Sequence, residues 1–172
     1  PVSGAHNIYN ACCAAAVCLH AGVKPEFVKT GIENACISEK RMNVFYKDNI
    51  IIINDCYNAN PDSMKCAIDT LKLISFKNKR RSVALLGDML ELGEDTDKLH
   101  YQMGRYLNDR EIDVLIAAGK YAKYIYDGFT APGGSGTEKE HLFYYFKDID
   151  SLKGSINDIV GADDVLLIKG SR

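Results

Sequence analysis

Residues 54–63 read NDCYNANPDS, directly after the apolar run IIII at 50–53 and directly before a stretch with helical spacing. Asp55, a phenol and three side-chain amides crowd into this short segment. Together they suit a polar ligand with several hydrogen-bonding groups: a carboxylate accepts from a sugar diol, and amides grip a peptide or a base. Pro61 fits the first turn of a helix, which makes Asn60 its N-cap. Capping accounts for Asn60 and leaves Asp55, Tyr57 and Asn58 as candidate ligand contacts on the loop.

Three other stretches carry comparable chemistry. In HNIYN, His6 and Asn10 are spaced i,i+4 and Asn7 and Asn10 i,i+3, so a helix projects all three from neighbouring parts of one face. An amide pair there could read the edge of adenine; helix capping by Ser3 or Asn7 is the alternative. Arg41 in SEKRM could clamp a phosphate with its planar fork, or serve as a solvated surface charge. At the end, Lys169 and Ser171 of KGS leave an apolar run together and suit a carboxylate ligand. The preceding DVLLI lacks the glycines of a Walker loop, so that reading is rejected. In LLGDMLELGE, Gly87 and Asp88 fall at a strand end, with Glu94 and Asp95 as helix N-terminal acids. His100 is expected at the surface or half-buried, and Leu99, Met103 and Leu107 form a core stripe.

The elements that must position these groups follow from period and punctuation. HNIYNACCAAAVCLHAG reads as a helix stopped by Gly22, and a second short helix runs from Pro25 to about residue 34. Together they hold too little apolar area to stand alone, so they must pack on a partner. A new unit starts near Lys40. NVFYK and IIIIN flank Asp48-Asn49 as a β-hairpin. Helices at about 61–75, 96–108, 121–127 and 148–160 then alternate with strands at 82–86, 113–117, HLFYYF and 164–169. That order predicts an α/β fold, a mostly parallel sheet flanked by helices with a β-hairpin at its start. In such a sheet ligands gather at the carboxyl ends of the strands, the place of the DCYNANP, GDMLELGE, AGKYA and KGSR loops. APGGSGTEKE at 131–140 reads as a flexible surface loop.

Composition narrows the classes. The 172 residues, 47% hydrophobic and 26% charged, suit one full core with a piece of another. A net charge of −2, with Lys and Arg spread along the chain, predicts neither nucleic acid nor an anionic membrane as partner. No run approaches the ~18 apolar residues of a membrane span, and the start lacks the regions of a signal peptide, so a cytoplasmic location is expected. The six cysteines show no CxxC pairing and read as free, small buried hydrophobes, with Cys56 alone near candidate chemistry.

Taken in order, HNIYNACCAAA, KRM, DCYNANPDSM, LLGDMLELGE with a following His, and KGSR resemble the Mur ligase family of cell-wall enzymes, over residues 4–172. The resemblance implies a Rossmann-like C-terminal domain over 40–172 that receives the incoming amino acid or dipeptide. Residues 1–39 would then be the last helices of a central ATPase domain. The Gly-rich phosphate loop, the modified lysine and the main Mg2+ ligands would lie upstream. It implies ATP and Mg2+ as cofactors, UDP-N-acetylmuramoyl-tripeptide and D-alanyl-D-alanine as substrates, and ATP-dependent amide formation for peptidoglycan precursors. By the same resemblance His6, Asn7 and Asn10 are similar to adenine-side residues, Arg41 to an arginine on the ATP phosphates and Asp55 to an aspartate on the ribose. Tyr57, Asn58 and Asn60 would face the reacting ends of ATP and dipeptide, and Lys169 and Ser171 the dipeptide carboxylate. A folylpolyglutamate-synthase-like ligase, or a non-enzymatic Rossmann-like nucleotide-binding module, is the competing reading.

Overall fold

The structure, a computed structural model, describes residues 5–35, 40–132 and 141–171. Two helices come first, α1 (Ala5–His20) and α2 (Pro25–Glu33). The hairpin follows: β1 (Asn43–Lys47) and β2 (Ile50–Asp55) pair antiparallel across Asp48-Asn49, both in the left-handed region at φ 49° and 64°. Two consecutive positive φ angles match the strand twist, which is why Asp-Asn serves here.

From β2 onward strand and helix alternate: α3 (Pro61–Asn78), β3 (Arg81–Gly87), α4 (Thr96–Asp109), β4 (Val114–Ala118), α5 (Ala122–Thr130), β5 (Leu142–Phe146), α6 (Ile149–Ile159) and β6 (Asp164–Lys169). The sheet order is β1-β2-β6-β3-β4-β5, and every pairing after the hairpin is parallel. This is the α/β sheet expected from the alternation. The insertion of β6 between β2 and β3 was not readable from it.

Pleating divides the core. Ile51, Ile53, Ala84, Leu86, Leu115 and Leu167 pack under α3, α4 and α5, while Val83, Val114, Ile116 and Leu166 turn to the other face under Leu152 and Ile159 of α6. Both faces are covered, which is why the strands read as unbroken apolar runs. α4 and α5 approach backbone to backbone through two glycines. A Cβ on Gly104 would run into the carbonyl of Ile125, and one on Gly128 into the carbonyl of Tyr101.

α1 and α2 behave differently. α2 buries no residue, and Tyr9 and Phe27 stay 74% and 64% exposed. Cys12 and Cys13 on α1 and Cys66 on α3 are exposed, and Cys18 and Cys56 are half-buried. The expectation of buried cysteines is therefore corrected for these five. The three on α1 lie on a helix that packs against α2 but stays largely exposed. Cys36 and most of the 131–140 loop lie outside the described residues.

The cations are also less evenly spread than expected, since four of residues 77–81 are basic. Two of them are spent internally: Arg81 makes a paired contact to Asp164 at 2.7 and 2.8 Å, and Arg80 reaches the Asn49 carbonyl at 2.6 Å and Asp163 at 3.6 Å. Among the described residues no helix is long and apolar enough to cross a membrane.

Candidate functional site

The strand ends stand level. Asp55 on β2 is in register with Lys169 on β6, Lys169 with Leu86 on β3, and Gly87 with Ala118 on β4. Level parallel ends bring their exit loops onto one rim. Gly87 and Gly170 leave so close together that a Cβ on Gly170 would stand 3.1 Å from the Gly87 Cα.

A cleft of about 500 Å³ opens at the β2 and β6 side of this rim. Of the residues singled out from sequence, Asn7, Asn10, Arg41, Asp55, Tyr57, Asn58, Asn60 and Lys169 line it. The side chain of His6 lies outside the described residues. Asp62, Ser63 and Cys66 line it as well. They escaped the sequence reading, although a helix starting at Pro61 already places 62 and 66 on one face.

At the floor is a buried ion pair. Lys169 Nζ donates to Asp55 Oδ2 at 2.6 Å, with the lysine side chain only 1% exposed. Lys169 Nζ also donates to the Asn58 carbonyl at 2.9 Å and lies 3.5 Å from the Asp55 carbonyl. The other carboxylate oxygen of Asp55 accepts the Met42 N–H at 3.0 Å. An ammonium has three donors, and all three of Lys169 are taken. In the structure the charge of Lys169, expected to meet a dipeptide carboxylate, is paired with Asp55 at the cleft floor. A carboxylate keeps further lone pairs, so Asp55 retains acceptor capacity toward the cleft.

Ser171 has a similar internal role. Its N–H donates to the Asp88 carbonyl at 2.8 Å, its Oγ accepts the Leu90 N–H at 3.0 Å, and its hydroxyl has Asn58 Oδ1 at 3.1 Å as acceptor. One residue thus ties together the loops after β2, β3 and β6. The Ser171 hydroxyl, expected to meet a carboxylate, thus has partners within the chain. Asn58 Oδ1 additionally accepts the Ala59 N–H at 2.8 Å. Asn60 caps α3 as expected, accepting the Ser63 N–H at 2.8 Å while Ser63 Oγ accepts the Asn60 N–H at 3.1 Å. The Arg41 guanidinium lies 4.0 Å above the Tyr57 ring centroid.

Two supports were not assigned from sequence. The Asp88 carboxylate accepts the N–H groups of Lys120, Tyr121 and Ala122 at 3.1, 2.9 and 2.7 Å, binding the loop after β4 to that after β3. Gly119 sits at φ 134°, where a Cβ would be 2.5 Å from Asp88 Oδ1, so only glycine fits. His100, expected at the surface or half-buried, is fully buried. Its Nε2 accepts the Met89 N–H at 2.9 Å, which leaves the proton on Nδ1, 2.7 Å from the Thr96 carbonyl. Burial is also what pushes the Cys56 thiol up, with the Asp55 charge adding to it, so Cys56 stays protonated at neutral pH while contacting the Ile168 carbonyl.

Burial likewise holds the His100 imidazole below its ordinary value, against the Thr96 carbonyl, which raises it. The unfolded chain titrates near 6.5, so below that pH the unfolded state binds the extra proton first. Stability from His100 is complete above about 6.5 and drains away as pH falls through the depressed folded value. Melting curves between pH 7.5 and 5.5 should fall more steeply for the wild type than for His100→Gln. Parallel pH profiles would discard this account.

A mostly parallel α/β sheet with a polar cleft at its carboxyl rim, holding amides, an arginine and an aspartate, is a class of domain that takes a polar ligand at its strand ends. The chain belongs to the Mur ligase family: a family model described as "Mur ligase, glutamate ligase domain" matches residues 40–172. It is 31% identical over its whole length to a UDP-N-acetylmuramoyl-tripeptide--D-alanyl-D-alanine ligase of Bacillus subtilis (strain 168). It is 37% identical over 99% of its length to the Mycobacterium tuberculosis (strain ATCC 25618 / H37Rv) protein of the same name. A crystal structure of MurF from Acinetobacter baumannii superposes over the whole chain with a TM-score of 0.78 at 30% identity, covering 36% of that chain. The chain spans 36% of the length of both curated relatives.

Proposed function

We propose that this chain is the C-terminal part of an ATP-dependent ligase that joins D-alanyl-D-alanine to UDP-N-acetylmuramoyl-tripeptide in peptidoglycan precursor synthesis. The observation that carries it is the convergence of Asn7, Asn10, Arg41, Asp55 and Tyr57 on one cleft at the strand rim. The donors and acceptors present suit a nucleoside triphosphate: paired amides for a base edge, spare carboxylate lone pairs for a ribose and a guanidinium for phosphate. Among the described residues no three His, Cys, Asp or Glu side chains converge to hold a metal ion, so Mg2+ is given no ligand here.

In this reading ATP supplies the phosphoryl group that converts the tripeptide carboxylate into an acyl phosphate. The dipeptide amine then attacks that carbonyl, passes through a tetrahedral intermediate and displaces phosphate, with one proton lost from nitrogen. The contribution of this chain is positioning. Arg41 neutralises phosphate charge, Asn58 and Asn60 present their amide N–H groups to the reacting ends, and Lys169 and Ser171 hold the loops that carry them. Residues 1–39 belong in this proposal to a central ATPase domain, residues 40–172 form the dipeptide-receiving domain, and the protein works in the cytoplasm.

The test is phosphate release by the full-length protein. ATP turnover should require both the tripeptide precursor and D-alanyl-D-alanine. Turnover driven by glutamate and a folate would favour the folylpolyglutamate-synthase-like alternative, and nucleotide binding without any turnover the non-enzymatic one.

A further inference from the structure

Resting on the ligase reading, one inference deepens its nucleotide site. Residues 40–42 are held against residues 55–57 at three successive points. The Tyr57 N–H donates to the Lys40 carbonyl at 3.0 Å, the Arg41 guanidinium carbon lies over the Tyr57 ring 4.0 Å from its centroid, and the Met42 N–H donates to Asp55 Oδ1 at 3.0 Å. Asp55 is itself pinned by Lys169 at 2.6 Å. Arg41 therefore sits between two main-chain clamps, with Met42 in the left-handed region at φ 49° turning the chain into β1.

The third point acts on the side chain. A guanidinium stacked on an aromatic ring is held by its face, while its five N–H donors lie in its plane and stay available to an anion. Among the described residues no ion pair engages Arg41, and both Arg41 and Tyr57 line the cleft. Holding a flexible arginine in one orientation before the ligand arrives lowers the ordering entropy lost on binding.

We propose that Tyr57 is a positioning residue for Arg41: the ring carries the guanidinium by its face and presents the in-plane donors to the phosphates of a nucleoside triphosphate. Tyr57 thereby serves the nucleotide alone, where the resemblance implied that it faces the reacting ends of both ATP and dipeptide. Tyr57 is 50% exposed, so its replacement leaves the core untouched.

The experiment measures ATP affinity and the KM of each substrate in the full-length ligase for Tyr57→Leu, Tyr57→Phe, Arg41→Ala and the Arg41→Ala, Tyr57→Leu pair, with a melting curve for each. Tyr57→Leu should weaken ATP binding about 3- to 10-fold and leave the KM for D-alanyl-D-alanine in place. Tyr57→Phe should recover most of the affinity, and Tyr57→Leu should add no further loss to Arg41→Ala. Unchanged ATP affinity in Tyr57→Leu, an equal loss with and without Arg41, or a rise confined to the dipeptide KM would each overturn the proposal. A wild-type protein that binds ATP without ligating would remove the ligase reading while the Arg41–Tyr57 coupling is still read from ATP affinity. One that binds no ATP would remove both.

Discussion

Replacing Lys169 with methionine is expected to lower the stability of the fold by about 3–5 kcal/mol, because it leaves the Asp55 carboxylate buried without its counter-charge. The pair is short at 2.6 Å, and the side chains are 1% and 11% exposed for Lys169 and Asp55. Water reaches this carboxylate only sparingly, so it is a poor substitute for the ammonium. The same change removes the donor to the Asn58 carbonyl, so the loop carrying Tyr57 and Asn58 loses its anchor. The pair differs in this from the surface bridges Lys98–Asp95 and Lys153–Asp150, whose side chains are mostly exposed and whose removal should change little. Urea unfolding of Lys169→Met and of Lys169→Met combined with Asp55→Asn decides the matter. The double change should lose less than Lys169→Met alone, since the stranded charge is gone. A loss below about 1 kcal/mol for Lys169→Met would mean that the ion pair holds nothing in place.

The isolated 172-residue chain is expected to show no ligation at all, even with ATP, Mg2+ and both substrates supplied. It spans 36% of the relatives it resembles, and its sequence holds no Gly-rich loop of the G-x-x-x-x-G-K-[ST] kind to cradle the transferred phosphates. Asn7 and Asn10 reach the cleft from α1, a helix whose Ile8, Tyr9 and Val17 stay exposed. In the proposed whole protein the central domain covers that face and fixes the angle at which the amides meet the rim. Without it two of the expected adenine contacts hang on a poorly supported helix. Measurable dipeptide transfer by the isolated chain would sink the proposed division of labour, and restoration of transfer in the full-length protein would support it.

Much of the fold was legible because its signals are local. The hairpin followed from two apolar segments around Asp48-Asn49, and the later strands other than the aromatic β5 announced themselves as short Val, Ile or Leu runs between helical stretches. Asn60 was readable as a cap because Pro61 follows it. What misled the reading was context. The cysteines of α1 look like core residues by type, yet α2, the helix that α1 packs against, leaves Cys12 and Cys13 exposed. His100 looks like a surface or half-buried residue by type, yet the loop after β3 folds over it and uses its ring as an acceptor for the Met89 N–H.

The sequence by itself determined which groups stand at strand exits, since period and punctuation place Asp55, Gly87, Asp88, Lys169 and Ser171 at the ends of apolar runs. It could not decide how those groups divide between ligand and fold. Lys169 and Asp55 are 114 positions apart, and only the insertion of β6 beside β2 makes them neighbours. Once adjacent, a buried ammonium takes every acceptor within reach, because an unsatisfied charge away from water is far more costly than a hydrogen bond is rewarding. That is why Lys169 and Ser171 became supports of the rim, while Arg41, stacked on Tyr57, kept its donors open to the cleft.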